Sequence, residues 1–230
     1  MMSDEHSRRQ FLRLLGSSSG ALLVGGAACS NRRTSTDNAS SEDLETADAG
    51  SDAGKTSCQT TGSDIEGPFF EEGAPERTTL ADDDEPGERL VIEGTVYGPD
   101  CTTSVDGALL DVWQADVDGE YHGGDDDNYR LRGQIMTDAN GAYRFETIKP
   151  GNYPMAGGTM RPAHIHFTIT KPGYTPLTTQ LYFEDDPHLA PDDPCGHCGS
   201  DDPTLIIDLH DADEDGVDYR GTFDIVLASG

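Results

Sequence analysis

No segment of this chain keeps a helical hydrophobic period over a dozen residues, and that bounds the fold more tightly than any single motif. From Arg89 onward the apolar residues come instead in short alternating runs, at 90–97, 108–114, 132–137, 143–148, 163–170, 178–183, 205–210 and 219–227. A period of two is that of a strand with one buried face. Gly, Pro, Asp and Asn stand at most of the junctions, where the backbone has to turn. Asp138-Ala139-Asn140-Gly141 predicts a hairpin with Asn-Gly at its tip. Short strands at this spacing predict an all-β fold, a β-sandwich of mainly antiparallel strands joined by long loops. No internal repeat of fixed period is present.

Ahead of these strands the composition changes. Ser7-Arg8-Arg9-Gln10-Phe11-Leu12 matches the twin-arginine export pattern, and an apolar, Gly/Ser-rich run follows to Ala28. That run is too short and too interrupted to span a membrane. Gly26-Ala27-Ala28-Cys29 resembles a lipoprotein cleavage box, with Gly26 where Leu is common. Residues 29–57 are mostly small and polar, with too few large apolar side chains to offset the entropy of ordering them. The expected organisation is a signal peptide at 1–28, an acidic disordered linker at 29–57 and a folded domain at 58–230. The expected location is periplasmic or cell-surface, with a lipid at Cys29 as the sole tie to a membrane. A formal net charge of −29 excludes a nucleic-acid partner, which requires a basic surface. The sequence specifies no oligomeric state.

Beyond Cys29 lie four cysteines, Cys58, Cys101, Cys195 and Cys198. An even set outside the cytoplasm reads as disulfides, and of the three pairings possible Cys58–Cys101 with Cys195–Cys198 is favoured. Cys195-Gly196-His197-Cys198 also has the spacing of a redox-active pair. Such a pair works at a helix N-terminus, whereas this one sits in an acidic loop, and acidic neighbours raise a thiol pKa. The bridge is therefore expected to be structural, and activity to survive Cys198→Ser. Asp211-Ala212-Asp213-Glu214-Asp215-Gly216 has the alternating oxygens of a calcium loop, but Thr222 stands where the bidentate Glu belongs, so a hairpin turn is expected.

One run carries chemistry. Met160-Arg161-Pro162-Ala163-His164-Ile165-His166-Phe167-Thr168-Ile169 reads as a strand whose apolar residues alternate with His164 and His166. Both imidazoles then point to one face of a rigid strand, a suitable way to offer two nitrogens to one metal ion.

Further motifs flank that strand. They are Leu110-Asp111-Val112-Trp113-Gln114-Ala115-Asp116 leading through Gly119-Glu120 to Tyr121, then Thr147-Ile148-Lys149-Pro150-Gly151-Asn152-Tyr153-Pro154, then Thr178-Thr179-Gln180-Leu181-Tyr182-Phe183. With Glu66-Gly67-Pro68-Phe69-Phe70 before them and Phe223-Asp224-Ile225-Val226-Leu227 after, the order and spacing resemble the intradiol ring-cleavage dioxygenases, the family of protocatechuate 3,4- and catechol 1,2-dioxygenases. The resemblance runs from Ile65 to Leu227. It implies a β-sandwich holding one non-haem Fe(III) ion, with O2 as co-substrate and a small aromatic diol as substrate. Tyr121, Tyr153, His164 and His166 fall on the family's metal ligands. Arg161 falls on an arginine that lines the substrate site and Gln180 on a glutamine behind it, and Tyr153 on the ligand that substrate displaces. The 125–128 tip is shorter than in many members. A signal and tether stand where members acting on plain catechol often carry a helical dimerisation segment.

The residue types suit that chemistry. Phenolate is a hard anionic donor, and with a free pKa of about 10 it ligates only where a strongly Lewis-acidic ion stabilises it. Two readings compete with the dioxygenase. One is an exported, metal-free β-sandwich that binds a partner. The other is a thiol oxidoreductase using Cys195 and Cys198. Few cations lie in the folded unit, and Arg161 is already assigned to the ring. The expected substrates are therefore neutral catechols rather than carboxylated ones, with Arg130 the residue most able to reverse that preference.

Overall fold

The computed structural model describes residues 58–123, 129–155, 157–212 and 215–230. The proposed signal peptide, Cys29, the linker and the 125–128 tip lie outside the described residues. Among those described none is helical, and twelve strands follow in order. They are β1 (Arg89–Tyr97), β2 (Leu109–Gln114), β3 (Arg132–Met136), β4 (Ala142–Ile148), β5 (Tyr153–Pro154), β6 (Met160–Arg161), β7 (His164–Thr170), β8 (Leu177–Phe183), β9 (Ile206–Ile207), β10 (Leu209–Asp211), β11 (Tyr219–Thr222) and β12 (Ile225–Val226).

The strands build two five-stranded sheets and one two-stranded ribbon, β5 with β6. One sheet runs β3-β2-β7-β8-β9. The other centres on β1, with β4 on one side and β11 and β12 end to end on the other, β10 lying beyond β11. Most pairs are antiparallel, as expected; β1 with β11, β1 with β12 and β8 with β9 are parallel.

Alternation places the core. Ile165, Phe167 and Ile169 of β7 join Leu110 and Val112 of β2, Phe145 of β4 and Ile92 of β1 in one buried cluster. Ring centroids of Phe145 and Phe167 lie 6.0 Å apart, and those of Phe167 and Phe223 lie 5.4 Å apart, so aromatic contacts join the two layers.

Four local expectations are corrected. The run 160–169 is not one strand: Pro162 has no N–H for a ladder and the Ala163 N–H goes to Asp186 Oδ2 at 2.8 Å, so Met160–Arg161 pairs with Tyr153–Pro154 instead. The run 205–210 divides between sheets, with Ile206–Ile207 beside β8 and Leu209–Asp211 beside β11. The run 219–227 breaks where Phe223 turns into the core and Asp224 Oδ1 accepts the Thr95 N–H at 2.8 Å. The Asp138–Gly141 turn forms, with Gly141 N donating to Asp138 O at 2.9 Å, but it is no hairpin. Its two flanking strands separate, β3 pairing with β2 and β4 with β1, so the turn crosses between layers.

Both favoured disulfides, Cys58–Cys101 and Cys195–Cys198, are formed. β10 and β11 pair antiparallel across the 211–216 segment, which supports a hairpin there, although residues 213 and 214 lie outside the described residues.

At Gly94 the backbone of β1 passes close to Phe223, in the break between β11 and β12 of the same sheet. A Cβ there would stand 2.0 Å from the Phe223 carbonyl oxygen, which also accepts the Tyr143 hydroxyl at 2.5 Å. Gly94→Ala is therefore expected to lower stability by about 1–3 kcal/mol through overpacking, read as a shifted denaturant midpoint at unchanged slope.

Candidate active site

The face of β7 opposite the core carries His164 and His166, both buried. Ladder register sets their neighbours: Tyr182 and Gln180 of β8 lie opposite His164 and His166, and Trp113 of β2 lies opposite His166 on the other side. The Trp113 indole stacks on the His166 ring, centroids 4.8 Å apart and planes 7° apart, which fixes the imidazole orientation.

Tyr121 comes from the loop after β2, and Tyr153 opens β5. The Tyr121 hydroxyl lies 3.0 Å from Nε2 of His164 and 3.0 Å from Nε2 of His166. The Tyr121 and Tyr153 rings meet edge to face at 5.7 Å. Phe69 stacks flat on Tyr121 at 4.2 Å, and its carbonyl accepts Arg132 Nη1 at 2.6 Å. Arg132 Nη2 also donates to the carbonyl of His122, next to Tyr121, at 2.7 Å. This buried arginine thus ties together the two segments that carry Phe69 and Tyr121.

Tyr121, Tyr153, Arg161, His164 and His166 line one cavity of about 200 Å3, whose rim is apolar and includes Ile65 and Met155. Larger surface grooves lie elsewhere, but none gathers these side chains. Gln180 stands behind Arg161: its Oε1 accepts Arg161 Nη2 at 3.0 Å, and its Nε2 donates to Ile65 O at 2.7 Å. Gln180 is fully buried and is not among the residues lining the cavity.

The electrostatics favour a cation among these atoms. Burial lowers the His164 pKa to about 4 and holds that of His166 well below its usual value, so both rings are neutral, the form that ligates metals. Burial also raises the Tyr121 pKa, so in the absence of a cation the phenol keeps its proton. His164 Nδ1 donates to Pro162 O at 2.6 Å, leaving Nε2 with a free lone pair. The one Tyr121 proton can satisfy that nitrogen, while His166 faces the same oxygen and its buried Nδ1 has no partner. Hydrogen bonds leave this cluster incompletely matched. A metal ion would accept both Nε2 lone pairs and the phenolate at once. No third His, Cys, Asp or Glu joins the two histidines in a metal-binding group among the described residues, and the tyrosine hydroxyls are the other donors beside them. Hard phenolate oxygens with imidazole nitrogens suit a ferric ion, and the residues present fit one.

Several participants carried no sequence signal. Asp186 Oδ2 accepts both Asn152 Nδ2 at 2.7 Å and the Ala163 N–H at 2.8 Å, joining the residue before Tyr153 to the residue before His164. Asp193 pairs with Arg161, 3.4 Å from Nε, both side chains being buried. Asp64 accepts the Tyr182 hydroxyl at 2.8 Å. Arg130 is held away from a role in the cavity by Glu85, whose two oxygens each lie 2.6 Å from it, and by His122.

The sequence model of a family described as Dioxygenase matches residues 65–229, nearly all the described structure. The chlorocatechol 1,2-dioxygenase of Rhodococcus opacus is 39% identical over 182 residues, covering 70% of this chain and 69% of that protein. Other curated relatives are matched over about half of their own length. Among solved structures, the dioxygenase domain of a dioxygenase–carbohydrate-binding protein fusion from Streptomyces sp. SirexAA-E superposes with a TM-score of 0.63 at 37% identity, covering 75% of this chain and 100% of that one. The 3-chlorocatechol 1,2-dioxygenase of Rhodococcus opacus 1CP gives 0.67 at 33% identity, covering 76% and 75%. Fold, site and these relatives together define a β-sandwich dioxygenase. Within that class, the chain belongs to the intradiol ring-cleavage dioxygenase family.

Proposed function

We propose that this protein binds one ferric ion through Tyr121, Tyr153, His164 and His166 and uses O2 to open a neutral catechol between its two hydroxyl-bearing carbons, giving a muconate-type diacid. The observation that carries this reading is the convergence of Tyr121 Oη with both histidine Nε2 atoms, each at 3.0 Å, in an apolar cavity. The ion, when bound, supplies a Lewis acid that holds the two catechol oxygens and leaves the ring electron-rich toward O2. The protein's own residues do the rest. Phe69 and Pro68 with Ile65 and Met155 shape an apolar slot for a single ring and limit water. Arg161 is the one cation that lines the cavity among the described residues, placed to stabilise negative charge developing on the substrate.

The same arrangement favours uncharged substrates. The Arg161 charge is matched by Asp193, and Arg130 by Glu85 and Asp116, so neither offers an uncommitted cation to a substrate carboxylate. Relatives named for chlorocatechol agree with an apolar substituent at the rim. Export to an oxidising compartment is part of this proposal, supported by the Ser7–Leu12 motif and the two disulfides. The thiol oxidoreductase alternative is disfavoured because no described helix adjoins Cys195 and Cys198, so no helix dipole is there to lower a thiol pKa.

The test is metal content, visible spectrum and oxygen uptake of the purified protein. One iron per chain, a phenolate-to-iron absorption band, and a kcat/KM for catechol about 10- to 100-fold above that for protocatechuate are expected, since an unmatched buried carboxylate costs about 1–3 kcal/mol. A protein that stays colourless and iron-free after reconstitution would overturn the metal reading. A protocatechuate preference lost in Arg130→Ala would overturn the charge argument.

A further inference from the structure

We propose that the loop closed by the Cys195–Cys198 disulfide is a positioning device for Arg161, so that turnover depends on that bridge being intact. The inference rests on the active-site reading above and concerns what holds its arginine in place.

Arg161 Nη2 donates to Gln180 Oε1 and to the Tyr182 hydroxyl, each at 3.0 Å. Two carboxylates complete the surroundings. Asp193 lies against the guanidinium, 3.4 Å from Nε and 3.5 Å from Nη2. Asp64 acts one step removed, its Oδ2 accepting the Tyr182 hydroxyl at 2.8 Å. These carboxylates come from opposite ends of the domain sequence, yet one small loop holds both. Asp193 Oδ1 accepts the backbone N–H of Cys195 at 2.9 Å, and Asp64 Oδ2 accepts the backbone N–H of Gly199 at 2.9 Å. The two donors stand at the first cysteine of the bridge and directly after the second, so closing the ring holds them in fixed relation.

Apart from the bridge the loop is held by turn hydrogen bonds, Cys198 N–H to Cys195 O at 3.3 Å and Asp202 N–H to Gly199 O at 2.9 Å. No strand lies between β8 and β9, and a side chain added at Gly196 would meet nothing within 4 Å. Asp192, Asp193, Asp201 and Asp202 crowd like charges around the ring, which favours its spreading apart once opened. Cys195 itself lines the active-site cavity, so motion of the loop is felt at the substrate. Cys58–Cys101 differs: neither of its cysteines lines that cavity or bonds a residue on Arg161. This proposal predicts the opposite of the expectation from sequence alone, that activity survives Cys198→Ser.

The test compares the Cys195→Ala/Cys198→Ala protein, Asp193→Asn, their combination, and Cys58→Ala/Cys101→Ala as the control bridge. The first two are expected to keep iron and the visible band within about twofold while kcat falls about 10- to 100-fold, the usual effect of disturbing a group that orients a reacting one. KM should change less, and the combination should be no worse than either part, because both disturb one device. The control should keep its kcat. Hydrogen exchange, followed by mass spectrometry, should quicken at residues 61–66 and 160–163 in the cysteine variant and not in the control, and this readout needs no iron. Unchanged kcat and unchanged exchange in the cysteine variant would overturn the proposal. Absence of iron and colour in the unsubstituted protein would instead overturn the active-site reading, with the exchange measurement still deciding whether the loop holds Arg161.

Discussion

Replacing His166 with alanine should yield a folded protein that loses its iron, its colour and more than about 100-fold of its turnover. Altering a residue that merely orients a metal ligand costs about 10- to 100-fold, and removing the ligand itself costs more. Folding is expected to survive because the residues that join the sheets, Ile165 and Phe167 among them, point to the other face of β7. The vacated space adjoins Trp113, which loses a stacked partner 4.8 Å away. A moderate fall in melting temperature should accompany the loss of metal. Iron analysis with a circular-dichroism melt checks both halves. A variant with full iron and full activity would remove His166 from the ligand set.

Arg161→Gln is expected to lower kcat by about 100- to 1,000-fold, the range found when a preorganised donor to developing charge is removed. It should also destabilise the fold by about 3–5 kcal/mol, because Asp193 is left buried without its counter-charge. These two effects have different origins and can be separated. Adding Asp193→Asn should restore most of the stability, since no buried charge then lacks a partner, while turnover stays low because the cation is still missing. Urea denaturation and oxygen uptake on the same samples decide the matter. Recovery of turnover in the double variant would show that Arg161 serves structure alone.

The sequence by itself determined most of the strands and which face of β7 carries His164 and His166. Period-two alternation is a local property: once Ile165, Phe167 and Ile169 face a core, His164 and His166 must share the opposite face. Tyr121 and Tyr153, the other two candidate ligands, were legible only through the resemblance to the intradiol dioxygenases. Cysteine parity and spacing pointed to the bridges that formed. The sheet to which a strand belongs is not a local property. The Asp138–Gly141 turn has hairpin chemistry, yet β4 finds more complementary partners along β1, from Arg89 to Thr95, than along β3. Division of 205–210 likewise follows from two sheets taking its halves, whereas 219–227 stays beside β1 and breaks where Phe223 turns into the core. The surroundings of Arg161 were the least legible. Asp193 is 32 positions from it, and Asp64 reaches it only through Tyr182, 118 positions from Asp64. Among so many acidic residues, nothing in the sequence marks these two, because Asp193 acts by burial beside a cation and Asp64 by a bond to the Tyr182 hydroxyl, and only the folded chain creates either.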